Sequence, residues 1–596
     1  MNLNDYDLIL CSTPRLSQSL QRYHIKINAK YNHGGTSQTP NTQTLTTWLD
    51  THISKLILLG EIPLANAYFR CLSHVEERLI WQQVIENHLE SNPYQDLFDA
   101  SGLANVAIEA NHYMHIWQLA VKNPLHNEAS KLATEEAKQF LLWQKAFQKK
   151  CAENDVLEKT RYVAWQIKQI ALHSILLPRK IAIAGYDRID PQIQSLLDCF
   201  SLNHCVVEVL KTPQVPSDTA QMMYQSRDEE CRAAVLWAQQ QLKINPNAEL
   251  AIIVPELNQL RESLIDLLDD TFHPETLPSN RAEAARCYEL SLGVPLNTKP
   301  LVNTTLHLLK LFSRAHRLSL VDFSELLLAN FWSAEQLEEN PRALLDAYLR
   351  RNLPLTVTWT QLLRHIESSQ FCPQLLTHCQ AALTFIKNNN KPQLPSNWVG
   401  IFSALLQHLH WPGERSLSSH EYQAQQSFLD CLESLKKLDA ILGKISLNNA
   451  VFQLNQICRD QIFQPRTLNT PAIQVLGLLE ATAAQCDGVW VMGMNDEHWP
   501  PAPRLNPLLP AALQRDAGTP NADHQTQFAF AKNVHERISN SGKQVLFSWA
   551  EKDGEKLLRI SPLITNLPAL PPLPLTKTLA ELCMPAAGFI HEAITD

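Results

Sequence analysis

The chain of 596 residues carries 51 Lys and Arg against 60 Asp and Glu, a formal net charge of −9, which excludes a global electrostatic attraction to nucleic acid. Its 16 glycines leave few sites for phosphate-binding loops, and its 13 cysteines include no CxxC pair, which excludes an obvious disulfide framework or zinc site. Any contact with DNA must therefore come from local basic patches.

The sequence contains no apolar run near the ~20 residues that a membrane-spanning helix requires. The N-terminal segment MNLNDYDLIL lacks the basic leader of a signal peptide. Together with the dispersed cysteines, these features predict a cytoplasmic protein that does not contact a membrane.

The chain starts with a strand–turn–helix pattern. The apolar run Leu8–Cys11 predicts a strand, Thr13 can cap the following helix, and Pro14 suits its first position. In nucleotide-binding α/β proteins, a phosphate loop stands at this place. Residues 32–47 are rich in Gly, Ser, Thr and Asn, which predicts a loop.

Residues 49–168 show helical periodicity, and the sequence then alternates between strand and helix candidates. This alternation predicts an α/β fold with a parallel sheet. A predicted loop at 287–300 leads into a second helical stretch, which runs from 301 to about 463. The predicted strands are 180–185, 206–210 and 250–254, and the predicted helices are 191–199 and 227–241.

Two further apolar runs, Ile473–Leu479 and Val489–Met494, have strand length and lack alternation, as expected for strands covered on both faces. After the second run the chain turns acidic and then stops at Trp499 and two prolines. Because ligands of open α/β sheets bind at the carboxyl ends of strands, this loop is the predicted functional position.

Several short motifs stand in a fixed order along the chain. They are IAGYDRIDPQIQSLL at 183–197, the segment 226–255, SLGVPL at 291–296, WPGER at 411–415, the "GxxDxxxP"-like loop 493–500 and RISPL at 559–563. In this order the chain resembles the AddB/RecC-like proteins. These are bacterial DNA repair proteins that join a body of the superfamily 1 helicase type to a C-terminal PD-(D/E)XK nuclease.

The resemblance implies an α/β fold of degenerate, P-loop NTPase-type, helicase-like parallel-sheet domains with large inserted all-helical subdomains. The implied first domain is 1–210, with α/β parts 1–48 and 178–210 around a helical insertion 49–177. The implied second domain is 211–300 and 470–566, around a helical insertion 301–469. Residues 567–596 would be a Pro-rich linker toward a missing nuclease domain.

The sequence lacks the phosphate-binding motif GxxxxGK[ST]. The two Gly-Lys pairs, at 443–444 and 542–543, are not followed by Ser or Thr, and LCSTPR at 10–15 contains no glycine. A gap-free comparison with helicases places Gly185 and Tyr186 at the Mg²⁺-binding Asp-Glu pair.

The same comparison places 483–486 at the Gly-Leu-Glu-Phe of motif V, and His535 at the arginine finger of motif VI. Such a finger is worth about 10³–10⁵ in the rate of related phosphoryl transfer. The resemblance therefore implies a helicase-shaped body without motor chemistry.

The nuclease motif is also missing, because the chain contains no Pro-Asp pair and the charged segment 551–556 has no upstream partner strand. No catalytic, cofactor-binding or metal-binding residue is assigned. The resemblance implies Mg²⁺ only for the missing nuclease domain.

Single-stranded DNA binding requires basic side chains for phosphates and aromatic rings for bases. Arg15 and Arg22 lie on the first predicted helix, and Trp499 and Arg504 belong to the loop after the second central strand. These four residues are the predicted DNA contacts.

Three hypotheses remain open from the sequence. The first is a DNA-binding, helicase-like portion of a repair exonuclease, which guides DNA to a nuclease and docks a helicase or nuclease partner subunit. The second is an active ATP-dependent helicase or nuclease. The third is a truncated fragment without function.

Overall fold

The structure, a computed structural model, describes residues 3–31, 39–63, 70–89, 99–119, 134–210, 217–274, 286–314, 317–465, 471–481, 486–576 and Leu582. The chain divides into two compact units. The first comprises residues 1–292 and 469–596, and the second comprises residues 293–468. Within the described residues, no helix combines the length and apolarity that crossing a bilayer requires.

The first unit begins with an α/β layer. Its strands are β1 (Leu8–Cys11), β2 (Thr42–Thr44), β3 (Arg70–Cys71), β4 (Val156–Leu157), β5 (Lys180–Ala184) and β6 (Val206–Val209). Its helices are α1 (Pro14–Tyr31), α2 (Leu45–Leu58), α3 (His74–Leu89), α4 (Ala100–Ile116), α5 (Glu135–Glu153), α6 (Lys159–Leu172) and α7 (Pro191–Leu202). The small pair β3–β4 is parallel and separate from the main sheet.

Four of these strands form a parallel sheet in the order β2-β1-β5-β6. Side chains alternate along β1, so that Leu8 and Leu10 pack on the α7 side while Ile9 packs on the α1 side. The predicted strands at the chain start, 180–185 and 206–210 are confirmed. The loop predicted at 32–47 is wrong at 42–47, because Thr42–Thr44 pair with β1 as an edge strand and α2 begins at Leu45. Residues 32–38 lie outside the described residues.

The chain then enters a second, larger sheet. The elements of this part are β7 (Asp218–Ser226), α8 (Arg227–Ile244), β8 (Leu250–Ile253), α9 (Leu257–Phe272) and β9 (Tyr288–Leu290). The predicted helix 227–241 and strand 250–254 are confirmed. The loop predicted at 287–300 is wrong at β9, because Tyr288 and Leu290 turn inward and bury their side chains.

The second unit is mainly helical. Its helices are α10 (Pro300–Ser313), α11 (Leu320–Leu328), α12 (Glu339–Asn352), α13 (Trp359–Ser369), α14 (Pro373–Asn388), α15 (Pro395–His408), α16 (Ser419–Lys436), α17 (Asp439–Leu442) and α18 (Leu447–Asp460). Two short antiparallel pairs accompany them, β10 (Val294–Pro295) with β13 (Ile462–Phe463) and β11 (Leu318–Ser319) with β12 (Thr356–Val357).

Local sequence explains two helix starts in this unit, since Thr358 with Gln361 and Ser418 with Glu421 each form a capping box. The WPGER segment is held by a buried carboxylate. Glu335 accepts a hydrogen bond from the backbone N–H of Glu414 at 2.7 Å.

The chain returns to the first unit with β14 (Ile473–Leu476), α19 (Leu478–Ala481), β15 (Cys486–Val491), α20 (Ala511–Asp516), α21 (His524–Ser539), β16 (Gly542–Asp553) and β17 (Lys556–Leu557). Six parallel strands stand in the order β9-β14-β8-β15-β16-β7, and β17 pairs antiparallel with the end of β16. The two predicted central strands are confirmed, although each is shorter than its apolar run.

Both sheets have a switch point, where helices that follow neighbouring strands cover opposite faces. In the small sheet, α1 follows β1 on one face and α7 follows β5 on the other. In the large sheet, α9 follows β8 on one face, while α21, between β15 and β16, covers the other. Because ligands of α/β sheets bind at switch points, these two places are the candidate sites.

Candidate functional site

The first switch point lies where β1 and β5 end, at Ser12 and Gly185. Gly185 has φ +76°, and a Cβ atom there would lie 2.4 Å from Leu16 Cδ2 and 2.6 Å from Ser12 Oγ. Only glycine fits this contact, because any side chain would be strained and would clash. The backbone after β5 therefore packs directly on the turn that leads into α1.

Protein groups form hydrogen bonds with two polar atoms of this turn, the Cys11 carbonyl oxygen and Thr13 Oγ1. The Tyr186 hydroxyl donates to the carbonyl oxygen of Cys11 at 3.4 Å. Thr13 Oγ1 accepts from the backbone N–H of Leu16 at 3.2 Å, which confirms the predicted cap of α1. Pro14 has no N–H, so the start of α1 offers fewer donors to a phosphate than a glycine-rich loop would.

Two side-chain contacts join this switch point to elements of the large sheet. Arg15 Nη2 donates to Gln474 Oε1 of β14 at 2.7 Å. Asp187, which follows Tyr186, forms an ion pair with Arg537 of α21. Burial raises the pKa of Asp187 although Arg537 opposes the shift. The start of α1 and the turn after β5 are thus bonded directly to β14 and α21.

His535 lies on α21, two positions before Arg537, and packs against Phe547 with ring centroids 4.7 Å apart. Burial lowers the pKa of His535 to about 4. At neutral pH its ring is therefore uncharged and could not replace the positive charge of an arginine finger. The predicted motif V counterpart, 483–486, lies outside the described residues except Cys486, which begins β15.

We expect His535 to make folding sensitive to acid. Its pKa in the fold lies below its value in the unfolded chain, so the unfolded chain takes up the proton first as the pH falls below about 6.5. Stability should therefore fall between about pH 6.5 and pH 4, by up to about 3 kcal/mol. Urea unfolding at several pH values measures this loss.

In His535→Phe the acid-dependent loss should shrink by most of that amount, because a phenyl ring does not titrate. His524→Gln, at an exposed position of the same helix, is the matched control and should follow the unsubstituted protein. Equal acid sensitivity of His535→Phe and the control would show that other groups cause the loss.

The second switch point lies at the carboxyl ends of β8 and β15 and opens as a crevice of about 330 Å³, including its solvent-filled mouth. Charged side chains form a network there. Arg227 donates to Asp553 at 3.0 Å and pairs with Glu256, while His498 Nε2 lies 2.9 Å from Glu256 Oε2. The charges largely compensate one another, so the crevice offers no uncompensated positive charge to a phosphate.

Glu230 lies beneath this network and is fully buried. Its carboxylate accepts hydrogen bonds from the Gly493 N–H at 2.8 Å and from the Ser548 hydroxyl at 2.5 Å. Ser548 in turn accepts from Trp490 Nε1 at 2.9 Å. Burial raises the pKa of Glu230. This chain of bonds connects α8 with β15 and β16 and fixes where the loop after β15 begins.

The loop after β15 is the predicted functional position, and its own Asn495 side chain bonds its backbone. Asn495 Oδ1 accepts from the backbone N–H groups of Glu497 and His498, both at 3.1 Å. The exposed charged side chains of this loop are Asp496, Glu497 and Arg504, and Glu497 pairs with Lys556 at 2.7 Å. Acidic and basic groups thus both lie at the surface of this loop.

Trp499 is 3% exposed and packs in the core between the large sheet and α21, with its ring 6.3 Å from that of Phe530. A ring in this position cannot stack on a base unless the core opens. The structure thus places Trp499 in a packing role, and the predicted base contact stays a prediction. Its large apolar surface, in a loop that follows a buried strand, explains why burial wins.

The other three residues that are predicted to contact DNA differ in their exposure to solvent. Arg22 and Arg504 are exposed, whereas Arg15 is half-buried and bonded to Gln474. Helix α1, which carries Arg15 and Arg22, contains no Asp or Glu. It is a local basic element in a chain with a net charge of −9.

Sequence reasoning missed the network of Arg227, Glu230, Glu256 and Asp553. The cluster of charges in SRDEE at the start of α8 is the local signal, but its partners are distant in sequence. Across the part of the chain that the structure describes, no group of three or more His, Cys, Asp or Glu side chains is arranged to hold a metal ion.

Comparison with known proteins adds no relative, since no protein-family model matches the sequence and no curated protein matches it. The family resemblance drawn from the motifs stays a prediction.

Proposed function

We propose that this chain is the DNA-binding, helicase-like portion of a DNA repair or recombination nuclease of the AddB/RecC-like type, and that it guides DNA without hydrolysing ATP. The proposal that the chain does not hydrolyse ATP is supported by the direct contacts at the first switch point. Asp187 pairs with Arg537, and Gly185 packs on Ser12, where a motor would hold a nucleotide and its Mg²⁺.

Helix α1 is the proposed DNA contact. It carries Arg15, Arg22, Lys26 and Lys30 and no acidic residue, so its charge attracts phosphate locally. Arg22 is exposed in the middle of the helix. In this proposal, nuclease activity and its Mg²⁺ reside in a separate domain or in a partner subunit, and the protein works in the cytoplasm.

Titration of a fluorescent single-stranded oligonucleotide, followed by anisotropy at several salt concentrations, tests the DNA contact. Arg22→Ala should weaken binding about fivefold at 0.1 M salt and should reduce the salt slope by about 0.7, because one phosphate contact is lost. Lys145→Ala, an exposed lysine on α5, is the matched control and should change neither value.

An unchanged DNA affinity and salt slope in Arg22→Ala would show that α1 is not the DNA contact. No binding of single-stranded or duplex-end DNA by the unsubstituted protein would overturn the proposal as a whole. The competing hypothesis of an active helicase is tested on the same samples with ATP and Mg²⁺ added. Hydrolysis of the order of one ATP per second, in the range of ordinary enzymes, would favour it.

A further inference from the structure

The strand β7 lies at an edge of the large sheet and has an unusual sequence for an edge strand. β7 pairs with β16 along one side. Its sequence, DTAQMMYQS, contains no Lys, Arg or Pro, and Met223 is 47% exposed. Natural sheets protect their edges with charges, prolines or covering segments, because unpaired backbone groups on an edge can recruit another strand.

Residues 567–576 cover this edge, and we call them the edge strap. The N–H of Gln221 donates to the carbonyl oxygen of Pro568 at 2.8 Å, and the N–H of Leu570 donates back to the carbonyl oxygen of Gln221 at 2.8 Å. The edge strap and β7 run parallel at this point. The first part of the predicted linker 567–596 thus packs on the sheet edge, while 577–581 and 583–596 lie outside the described residues.

Further contacts continue along the edge strap. The N–H of Leu573 donates to the Tyr224 hydroxyl at 3.2 Å, and Leu573 and Leu575 pack on the core beneath α8. Arg232 donates to the carbonyl oxygen of Thr576 at 2.8 Å. The strap is thus fixed at its beginning by backbone bonds and at its end by apolar packing and one arginine.

Prolines give the edge strap a second property. The residues without a backbone N–H are all exposed: Pro568, Pro571, Pro572 and Pro574. A segment with so few donors cannot pair with a further strand on its outer side. The strap therefore ends the sheet, whereas an ordinary strand in this place would create a new edge.

We propose that the β7 edge is a strand-pairing surface that the edge strap keeps closed, and that a second copy of this chain pairs there when the strap is released. The choice of a second copy as the pairing partner follows from the β7 strand itself. The nine-residue strand carries one charge, Asp218 at its first position, and its backbone presents the same donors and acceptors on each copy, so two copies related by a two-fold axis match each other. Pairing would also cover the exposed Met223.

The test releases the edge strap in the full chain. Leu573→Asp with Leu575→Asp removes the apolar contacts and places two charges against the core. Leu570→Pro is a milder variant that removes only the donor to Gln221, and it serves if the first variant does not fold. Pro572→Ala, at an exposed position of the strap, is the matched control.

Two measurements are made on each variant. The first is the hydrogen-exchange rate of the Gln221 amide, and the second is the molecular mass of the protein by sedimentation over a concentration series. We expect both release variants to show faster exchange at Gln221 at low concentration and a doubled mass at high concentration. Adding Met223→Lys should return the mass to that of a monomer, because charge on an edge strand opposes pairing.

Two results would overturn the proposal. Fast exchange at Gln221 with an unchanged mass at every concentration would show that the free edge does not recruit a second copy. Exchange at Gln221 that stays as slow as in Pro572→Ala would show that these contacts do not hold the strap.

Discussion

Trp499→Ala should lower the free energy of unfolding by about 3–5 kcal/mol, the usual cost of replacing a buried tryptophan by alanine. The ring is 3% exposed and shares its core with Val491, Val534 and Phe547. Its loss would leave a cavity between the large sheet and α21. Urea unfolding followed by circular dichroism measures the change.

Trp499→Phe separates packing from DNA recognition, because it keeps an aromatic ring in the core. We expect a smaller loss of stability and the same DNA affinity as the unsubstituted protein. A tenfold weaker affinity in Trp499→Phe, with the fold intact, would return Trp499 to the DNA contact that its loop position predicted.

Glu230→Ala should destabilise the first unit by about 2–5 kcal/mol. The Gly493 N–H and the Ser548 hydroxyl would lose their acceptor, and each buried polar group left without a partner costs about 1–3 kcal/mol. Thermal or urea unfolding of the full chain measures this loss. An effect below about 0.5 kcal/mol, typical of a surface substitution, would contradict a structural role for this carboxylate.

Glu230→Gln is the matched control, since an amide keeps an acceptor oxygen but does not ionise. Because burial raises the pKa of Glu230, the folded protein holds the proton more tightly than the unfolded chain. Stability should be highest below the unfolded pKa and should decline as the pH rises through the folded pKa. Glu230→Gln should remove that decline, so that its stability relative to the unsubstituted protein improves with rising pH.

The sequence predicted the elements whose signals are local. β1 and α1 were marked by an apolar run and by Thr13-Pro14, and β8 and β15 by continuous apolar runs. The α/β class with parallel sheets followed from their alternation. These elements are buried on both faces or capped by adjacent residues, so that nearby sequence determines them.

Strands stabilised mainly by distant partners were missed. β2 is polar and only three residues long, and β7 alternates between inward Ala220, Met222 and Tyr224 and polar neighbours. The same reason explains the site. The contacts Arg15–Gln474 and Asp187–Arg537 span hundreds of residues, so sequence spacing could not reveal them. For Trp499 the sequence indicated a position in a loop but not the burial of its ring, which depends on packing against distant residues.

The hydrogen bond from Arg232 to the carbonyl oxygen of Thr576 fixes the position of the last residue of the edge strap. Whatever continues from residue 577 departs from one known spot beside α8.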